Sequence, residues 1–241
     1  MSEEGPAPRT VREEQSLSPM RKTIANRLQE SYQEAVHVTV SREVDAEGLL
    51  AATDAAGPTD ESDGETVDPS MMDILLCALS ETLEAHPSFN ATFEDGTHRT
   101  YEEHNVGVAV DIDEGLVTPV VADIGSKTLG EIAADRQRLT ERVKDGEYSM
   151  STFKGGTFTI SNLGPLGVDS FNPVINPPEI AILGVGRVTE DVIPDGDDIT
   201  RQHRLTFDLS FDHRVVDGAD AARFLETLTE HVAAAEKYVG A

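Results

Sequence analysis

The sequence has few of the residues that define several functional classes. Its 241 residues include one cysteine, no tryptophan and no apolar run near the roughly 18 residues that a transmembrane helix needs. The single cysteine, Cys77, excludes an internal disulfide, and its apolar helical context predicts a buried core thiol rather than a nucleophile. The N-terminus is too polar for a signal peptide. These absences predict a soluble, cytoplasmic protein without a membrane partner.

Positive charge is also scarce. The chain has 19 lysine and arginine residues against 45 acidic ones, for a net charge of −26. An even negative field disfavours nucleic acid as a partner. The acidity runs along the whole chain, which favours adaptation to high salt over general solubility, because salt screens the self-repulsion. Residues 51–68 predict a mobile acidic surface loop, and a cation site there is the weaker alternative.

The apolar pattern divides the chain into a tail and one domain. Residues 1–17 have mixed charge and no apolar period, which predicts a flexible tail before a domain at 18–241. Ser18 and Pro19 are typical of a helix start. Helical periodicity and strand alternation intermix without strict βαβ order, which predicts an α+β type of α/β fold with a mixed sheet. The predicted helices are 18–35, 69–86, 128–146 and 219–239; the predicted strands are 37–46, 104–113, 115–124, 155–164, 179–188 and 204–212.

The segment SFDHRVVDGAD, residues 210–220, leaves three alternatives for His213. It is a catalytic base at a strand-to-helix corner, a metal ligand with Asp212 and Asp217, or an ordinary histidine where Asp217 caps the next helix. The metal alternative is the weakest, because no cysteine or second histidine lies at ligand spacing. Spacing alone favours the cap.

Other segments add to this motif. DHRVVDG (212–218) is similar to an HxxxDG element, and GTFTISNLGPLGVDSFNPVINPPEIAILGVGR (156–187) is similar to a second long signature. VGVAVDIDEGLVTPVV (106–121), SPMRKTIANRL and HVTVSREVD complete the set in order. Together they resemble the catalytic domains of the 2-oxo acid dehydrogenase acyltransferases (E2), over residues 17–240. The resemblance implies a chloramphenicol-acetyltransferase-like two-layer sandwich.

The resemblance also implies a reaction and its residues. The family moves an acyl group between a dihydrolipoyl thiol and coenzyme A, and a thiol with a pKa near ~8.5 needs a base at neutral pH. By the resemblance His213 is that base, and the Ser161 hydroxyl stabilises the oxyanion. Asp217 orients the site and pairs with Arg21, the nearest counterpart of an arginine in chloramphenicol acetyltransferase. Asn162 supports the loop beside the site.

The implied substrates are coenzyme A and a lipoyl group carried by another domain or chain, since no lysine lies in a DKA-type lipoylation sequence. The chain is then either an excised catalytic domain or a separate subunit. The motifs do not distinguish acetyl, branched-chain and succinyl groups. The coenzyme A phosphates require a local basic cluster, for which Arg138, Arg142 and Lys154 are candidates.

The implied partners are a lipoyl domain and the E1 and E3 enzymes of the complex. The family forms homotrimers, alone or within cubic or icosahedral cores, in which one subunit supplies the histidine and its neighbour the serine. Two alternatives stay open: a free-standing coenzyme A-dependent acyltransferase with a small acceptor, and an oligomeric scaffold on which other enzymes assemble.

The charge gives the first testable prediction. If the acidity is an adaptation to high salt, removing salt unscreens the repulsion and destabilises the fold. Thermal melts from dilute buffer to molar KCl are expected to shift to higher temperature. A flat or falling trend would leave only the solubility explanation.

Overall fold

The computed structural model describes residues 9–60, 66–113, 115–196 and 198–239. The helices are α1 (Pro19–Glu34), α2 (Glu47–Ala55), α3 (Met71–Ala85), α4 (Leu129–Lys144) and α5 (Gly218–Ala233). The strands are β1 (His37–Asp45), β2 (Thr59–Asp60), β3 (Thr66–Val67), β4 (Ala91–Glu94), β5 (Thr97–Thr100), β6 (Val106–Val108), β7 (Val110–Ile112), β8 (Gly115–Val117), β9 (Val120–Val121), β10 (Phe158–Asn162), β11 (Ala181–Val185), β12 (Thr189–Asp195) and β13 (Asp198–Asp212).

Seven of these strands form one mixed sheet. Its order is β1-β13-β11-β10-β6-β9, and β12 pairs with the outer part of β13. Strands β11, β10 and β6 run parallel, whereas β1, β13 and β9 pair antiparallel with their neighbours. Helices α2, α3 and α5 cover one side of the sheet, so the predicted mixed sheet packed with helices is confirmed.

One face of the sheet is the apolar core. Leu205, Phe207, Leu209 and Phe211 are buried on it with residues of α2, α3 and α5. The ring of Phe224 in α5 stacks on Phe158 of β10 at 5.7 Å. The predicted apolar face of residues 204–212 therefore carries the helix layer.

The opposite face is polar and also buried. We call Thr159, Ser161, Asp208, Ser210 and Asp212 the polar face; strand register places them on one side, and each is almost fully buried. Buried polar groups need hydrogen-bond partners. The partners of Thr159, Asp208 and Ser210 come from β1 and from the segment 163–180, whereas the Asp212 carboxylate bonds to Val36 and Arg214. This second burial makes the sheet a rigid base for Ser161.

Asp208 shows how the segment 163–180 is held. Its carboxyl group accepts hydrogen bonds from Ser41 Oγ (2.5 Å), Ser170 Oγ (2.9 Å) and the backbone N–H of Phe171 (2.9 Å). A Cβ added to the neighbouring Gly184 would lie 2.9 Å from the Phe171 ring. Glycine at this position lets the segment approach the sheet closely.

The helix start predicted at Ser18 is confirmed. Ser18 Oγ accepts a hydrogen bond from the backbone N–H of Arg21 at 3.1 Å, and Pro19 opens α1. The apolar face of α1 is only partly covered within this chain, since Leu28 is 43% exposed and Tyr32 is 72% exposed. Part of α1 is therefore available to a partner.

The prediction of one acidic loop over 51–68 is wrong at both ends. Residues 51–55 belong to α2, and residues 59–60 pair with 66–67; residues 61–65 lie outside the described part. The N-cap residue of α2 is Ala46, which has no capping side chain; Asp45 Oδ1 instead accepts a hydrogen bond from the backbone N–H of Glu47 at 2.8 Å. Of the predicted tail, residues 1–8 also lie outside the described part, and 9–17 have no helix or strand.

Two predicted strands differ in detail from the structure. The predicted strands 104–113 and 115–124 are each split in two, the second where Pro119 lacks the N–H that a ladder needs. The hairpin of β4 and β5 and the strand β12 were not predicted. Among the described helices, none is both long and apolar enough to cross a membrane.

A buried carboxyl group, Glu179, joins the polar face to the chain before β11. It is 6% exposed and accepts hydrogen bonds from Thr159 Oγ1 (2.5 Å) and Asn176 Nδ2 (2.9 Å). Burial raises the pKa of Glu179 to about 7, against the lowering effect of these bonds and of Arg27. The native state therefore holds this proton at a pH where the unfolded chain has lost it.

This raised pKa makes stability depend on pH with a defined sign. The contribution is fully present below the ordinary pKa of 4.5 and is lost as the pH rises through about 7. The side chain of E179Q is neutral at every pH, so this variant does not lose the contribution as the pH rises. The unfolding free energy of E179Q minus that of the native protein is therefore expected to increase by up to about 3 kcal/mol between pH 5 and pH 8. Denaturant titrations of both proteins across this range measure the difference; a constant difference would contradict the shift.

Candidate active site

His213 stands at a corner that Asp212 fixes. The Asp212 carboxylate is 3% exposed and accepts hydrogen bonds from the backbone N–H of Val36 (3.2 Å) and of Arg214 (3.0 Å), and from Arg214 Nη2 (2.6 Å). Burial acts to raise the pKa of Asp212, but the Arg214 and Val36 bonds outweigh it and lower the pKa. The backbone N–H of His213 donates to Val36 O at 2.9 Å. The corner is thus rigid, while the imidazole is 39% exposed.

Asp217 both caps helix α5 and lies beside His213, two of the alternatives that the sequence left open. It occupies the N-cap position of α5, and its backbone N–H donates to Asp220 Oδ2 at 3.3 Å. Its Oδ1 also lies 3.7 Å from His213 Nδ1, too far for a hydrogen bond but close enough for electrostatic attraction. The carboxylate is 79% exposed, so solvent weakens that attraction.

Ser161 lies near the end of β10, on the polar face. It is buried, and strand register aligns it with Gly184 on β11. The next residue, Asn162, accepts a hydrogen bond at Oδ1 from the backbone N–H of Gly164 (2.8 Å). This bond closes the turn after the strand, and the supporting role of Asn162 stays a prediction.

The register keeps Ser161 and His213 apart within the chain. Ser161 aligns with Gly184, Gly184 aligns with Asp208, and His213 follows Asp208 by five positions. At about 3.3 Å per residue that is roughly 17 Å along the strand direction, with two strand spacings of about 4.8 Å across. One copy of the chain therefore does not bring the two side chains together.

An apolar pocket of about 130 Å³ lies between α1 and the sheet. Ile182 lines it and pairs with Thr159, so the pocket opens beside the face that carries Ser161. Arg27 is the only charged side chain among the described residues of the lining. The lining residues are Met20, Thr23, Ile24, Arg27, Leu28, Ala109, Leu116, Val117, Thr118, Met150, Phe153, Val174, Asn176, Pro177 and Ile182.

The expected pairing of Arg21 with Asp217 is wrong for a single chain. Arg21 lies in the first turn of α1, and a Cβ added to Gly115 would be 2.5 Å from its Nη1. Asp217 lies beside His213, which bonds to Val36 beyond the other end of this 16-residue helix. At about 1.5 Å per residue the helix separates the two ends by roughly 24 Å.

Cys77 is partly buried against the core, and burial raises the pKa of its thiol to about 12. Such a thiol is not a nucleophile at neutral pH. In the described part of the chain no three His, Cys, Asp or Glu residues are placed to hold a metal ion.

The candidate residues for the coenzyme A phosphates are exposed. Arg138 is paired with Asp135, Arg142 lies in the last turn of α4, and Lys154 ends a short 3₁₀ helix. No contact joins them into one cluster, so their role stays a prediction.

Comparison with known proteins gives the family. The model of the 2-oxoacid dehydrogenases acyltransferase (catalytic domain) matches residues 10–239. The chain belongs to this family. The chain is similar to the dihydrolipoyllysine-residue acetyltransferase component of two pyruvate dehydrogenase complexes. The Rickettsia conorii protein is 38% identical over 86% of this chain, and the Bacillus subtilis protein is 34% identical over 92% of it. Each match covers 50% of the relative. The chain thus spans about half the length of these curated relatives.

Solved structures agree with the family. The dihydrolipoamide acetyltransferase of Azotobacter vinelandii has a TM-score of 0.88 and 30% identity to this chain, and the match covers 97% of this chain and 99% of that one. That structure comes from a study of the role of a serine, a histidine and an asparagine in the catalytic mechanism of that enzyme. The cubic core of a pyruvate dehydrogenase multienzyme complex gives the same values. Chloramphenicol acetyltransferase, at 14% identity and a TM-score of 0.52 over 91% of this chain and 94% of that one, shares the fold. The predicted fold and family are confirmed.

Proposed function

We propose that the chain is an acyltransferase that moves an acetyl group between a dihydrolipoyl thiol and coenzyme A within a 2-oxo acid dehydrogenase complex. One observation carries the proposal. The serine, histidine and asparagine studied in the Azotobacter vinelandii enzyme have the same intervals along the chain as Ser161, His213 and Asp217. Here an aspartate takes the position of the asparagine, and its carboxylate lies 3.7 Å from His213 Nδ1.

The side chains give each step of the transfer a physical basis. The His213 imidazole takes the proton of the attacking thiol, and the thiolate adds to the thioester carbonyl carbon. The Ser161 hydroxyl donates a hydrogen bond to the resulting oxyanion. The tetrahedral intermediate then expels the other thiolate, which recovers the proton from the imidazolium. Asp217, 3.7 Å from His213 Nδ1, orients the imidazole.

The apolar pocket suits the dihydrolipoyl arm. Its lining is mostly aliphatic side chains and methionines, which match an arm whose carbon chain ends in two thiols. The pocket opens on the face that carries Ser161, so a thioester held there lies beside the proposed oxyanion donor. We propose that a lipoyl domain supplies the arm, from this protein or from another chain.

The site requires two copies of the chain. Ser161 and His213 are too far apart within one copy to act on one carbonyl group, so we propose that neighbouring subunits of a homotrimer supply them. The exposed apolar residues Leu28, Tyr32 and Val36, on and just after α1, offer a surface for that contact. The relative that forms a cubic core supports a multimeric assembly.

The relatives also favour one acyl group and one set of partners. The curated relatives are acetyltransferase components of pyruvate dehydrogenase complexes, which supports acetyl over branched-chain and succinyl groups. The E1 and E3 enzymes of such a complex are the proposed partners. An assay with acetyl-CoA and dihydrolipoamide tests the transfer directly.

Substitution of the proposed residues separates their roles. H213A is expected to lower kcat by about 10² to 10⁴, because it removes the base. S161A is expected to lower kcat by about 10² to 10³ with little change in KM, because an oxyanion donor acts in the transition state. Circular dichroism and thermal melts control for folding. Near-native turnover of either folded variant would contradict its assigned role.

Mixing the two variants tests the shared site. H213A and S161A chains are unfolded together in equal amounts and refolded. If each site takes its histidine and serine from different subunits of a cyclic trimer, about a quarter of the sites are intact and activity returns. Each variant refolded alone is the control. If both residues acted from one chain, every site would stay defective and mixing would restore nothing.

A further inference from the structure

Glu179 is a buried carboxyl group that the proposed reaction does not use. It is hydrogen-bonded by Thr159 Oγ1 at 2.5 Å and Asn176 Nδ2 at 2.9 Å. The chain leaves space for it: a Cβ added to Gly156 would lie 2.5 Å from Glu179 Oε1. Burial of a carboxyl group is costly, and an apolar side chain would fill this volume at lower cost. The acceptor oxygens of Glu179 therefore indicate a role other than filling this volume.

The two partners of Glu179 belong to two different elements near the apolar pocket. Thr159 is on β10, two residues before Ser161, and pairs with the lining residue Ile182. Asn176 lies in the loop before β11 and lines the pocket itself. Glu179 thus fastens the strand that bears Ser161 to the loop that forms part of the pocket wall.

The connection continues to α1 through Asn176. Asn176 uses its amide N–H for Glu179, and its Oδ1 accepts from Arg27 Nη2 at 3.4 Å. The same Nη2 donates to Pro177 O at 2.5 Å. The bond to Glu179 fixes the amide orientation of Asn176, and the Asn176 amide oxygen and the Pro177 carbonyl together fix one edge of the Arg27 guanidinium. A guanidinium has five N–H donors, and Arg27 lines both the apolar pocket and a neighbouring polar cleft that contains Glu30 and Glu34.

We infer that Glu179 is a positioning residue for the acyl acceptor: it orients Asn176 so that Arg27 presents N–H donors to a carbonyl oxygen of the dihydrolipoyl arm. The inference rests on the proposed function, which makes this pocket the acceptor site. A guanidinium in an apolar lining binds a carbonyl oxygen well, because no water competes there. The acceptor, rather than coenzyme A, is the substrate that depends on this network.

The test compares E179M with E179Q. Methionine keeps the volume but removes both acceptor oxygens, whereas glutamine keeps an acceptor for Asn176 and offers an N–H to the Thr159 hydroxyl. E179M is expected to raise the KM for dihydrolipoamide about tenfold, because it removes the hydrogen bonds that orient Asn176. The kcat and the KM for acetyl-CoA are expected to stay near their native values. E179Q is expected to restore the KM for dihydrolipoamide.

Controls separate positioning from stability. S80A removes a different buried hydrogen bond, 2.8 Å from Ser80 Oγ to His104 Nδ1 in the helix layer, and is expected to leave both KM values unchanged. If E179M does not fold, T159V removes the partner on β10 instead and is expected to raise the same KM. Equal loss of kcat in all variants, or a native KM for dihydrolipoamide in folded E179M or T159V, would overturn the positioning role.

A direct measurement of dihydrolipoamide binding distinguishes a failure of this inference from a failure of the proposed function. The dissociation constant of dihydrolipoamide is measured by calorimetry without acetyl-CoA, for the native protein, E179M and E179Q. Native turnover with equal dissociation constants for all three would overturn the role of Glu179 and leave the function intact. A native protein that neither binds dihydrolipoamide nor transfers acetyl groups to it would overturn both.

Discussion

The hydrogen bonds of the buried polar face are the constraint on which the site depends. A sheet face that holds Thr159, Ser161, Asp208, Ser210 and Asp212 is stable only if each polar group finds a partner, because an unmet buried group costs about 1–3 kcal/mol. For Thr159, Asp208 and Ser210 the partners come from β1 and from the segment 163–180. Meeting this requirement brings that segment onto the sheet beside Ser161.

The same requirement explains why His213 can be both exposed and well placed. Asp212, at the end of the polar face, accepts backbone N–H groups from Val36 and Arg214, so it joins the end of β13 to the chain between α1 and β1. His213 then bonds to Val36 through its own backbone. The imidazole packs against the Phe211 ring at 5.5 Å and stays 39% exposed.

The sequence predicted elements whose own residues determine them and missed those that depend on pairing. Helix α1 has its cap at Ser18, and α4 has a strong apolar period, so both were found. Strand β12 has three acidic residues and a proline in seven positions; it forms only because β13 extends beside it. The pocket lining comes from α1, β8, the chain after α4 and the loop before β11, and the separation of Ser161 from His213 follows from strand register. Neither is local in sequence.

The proposed site, shared between copies, would also tie activity to assembly in a strongly acidic chain. Subunits that each carry a net charge of −26 repel one another, and salt screens this repulsion over about 10 Å at 0.1 M. The exposed apolar residues on α1 must overcome the remaining repulsion when the site forms. In the proposed trimer, a loss of salt or a low protein concentration would therefore weaken the shared site and the subunit contact together, because one copy of the chain does not bring Ser161 and His213 to one carbonyl group.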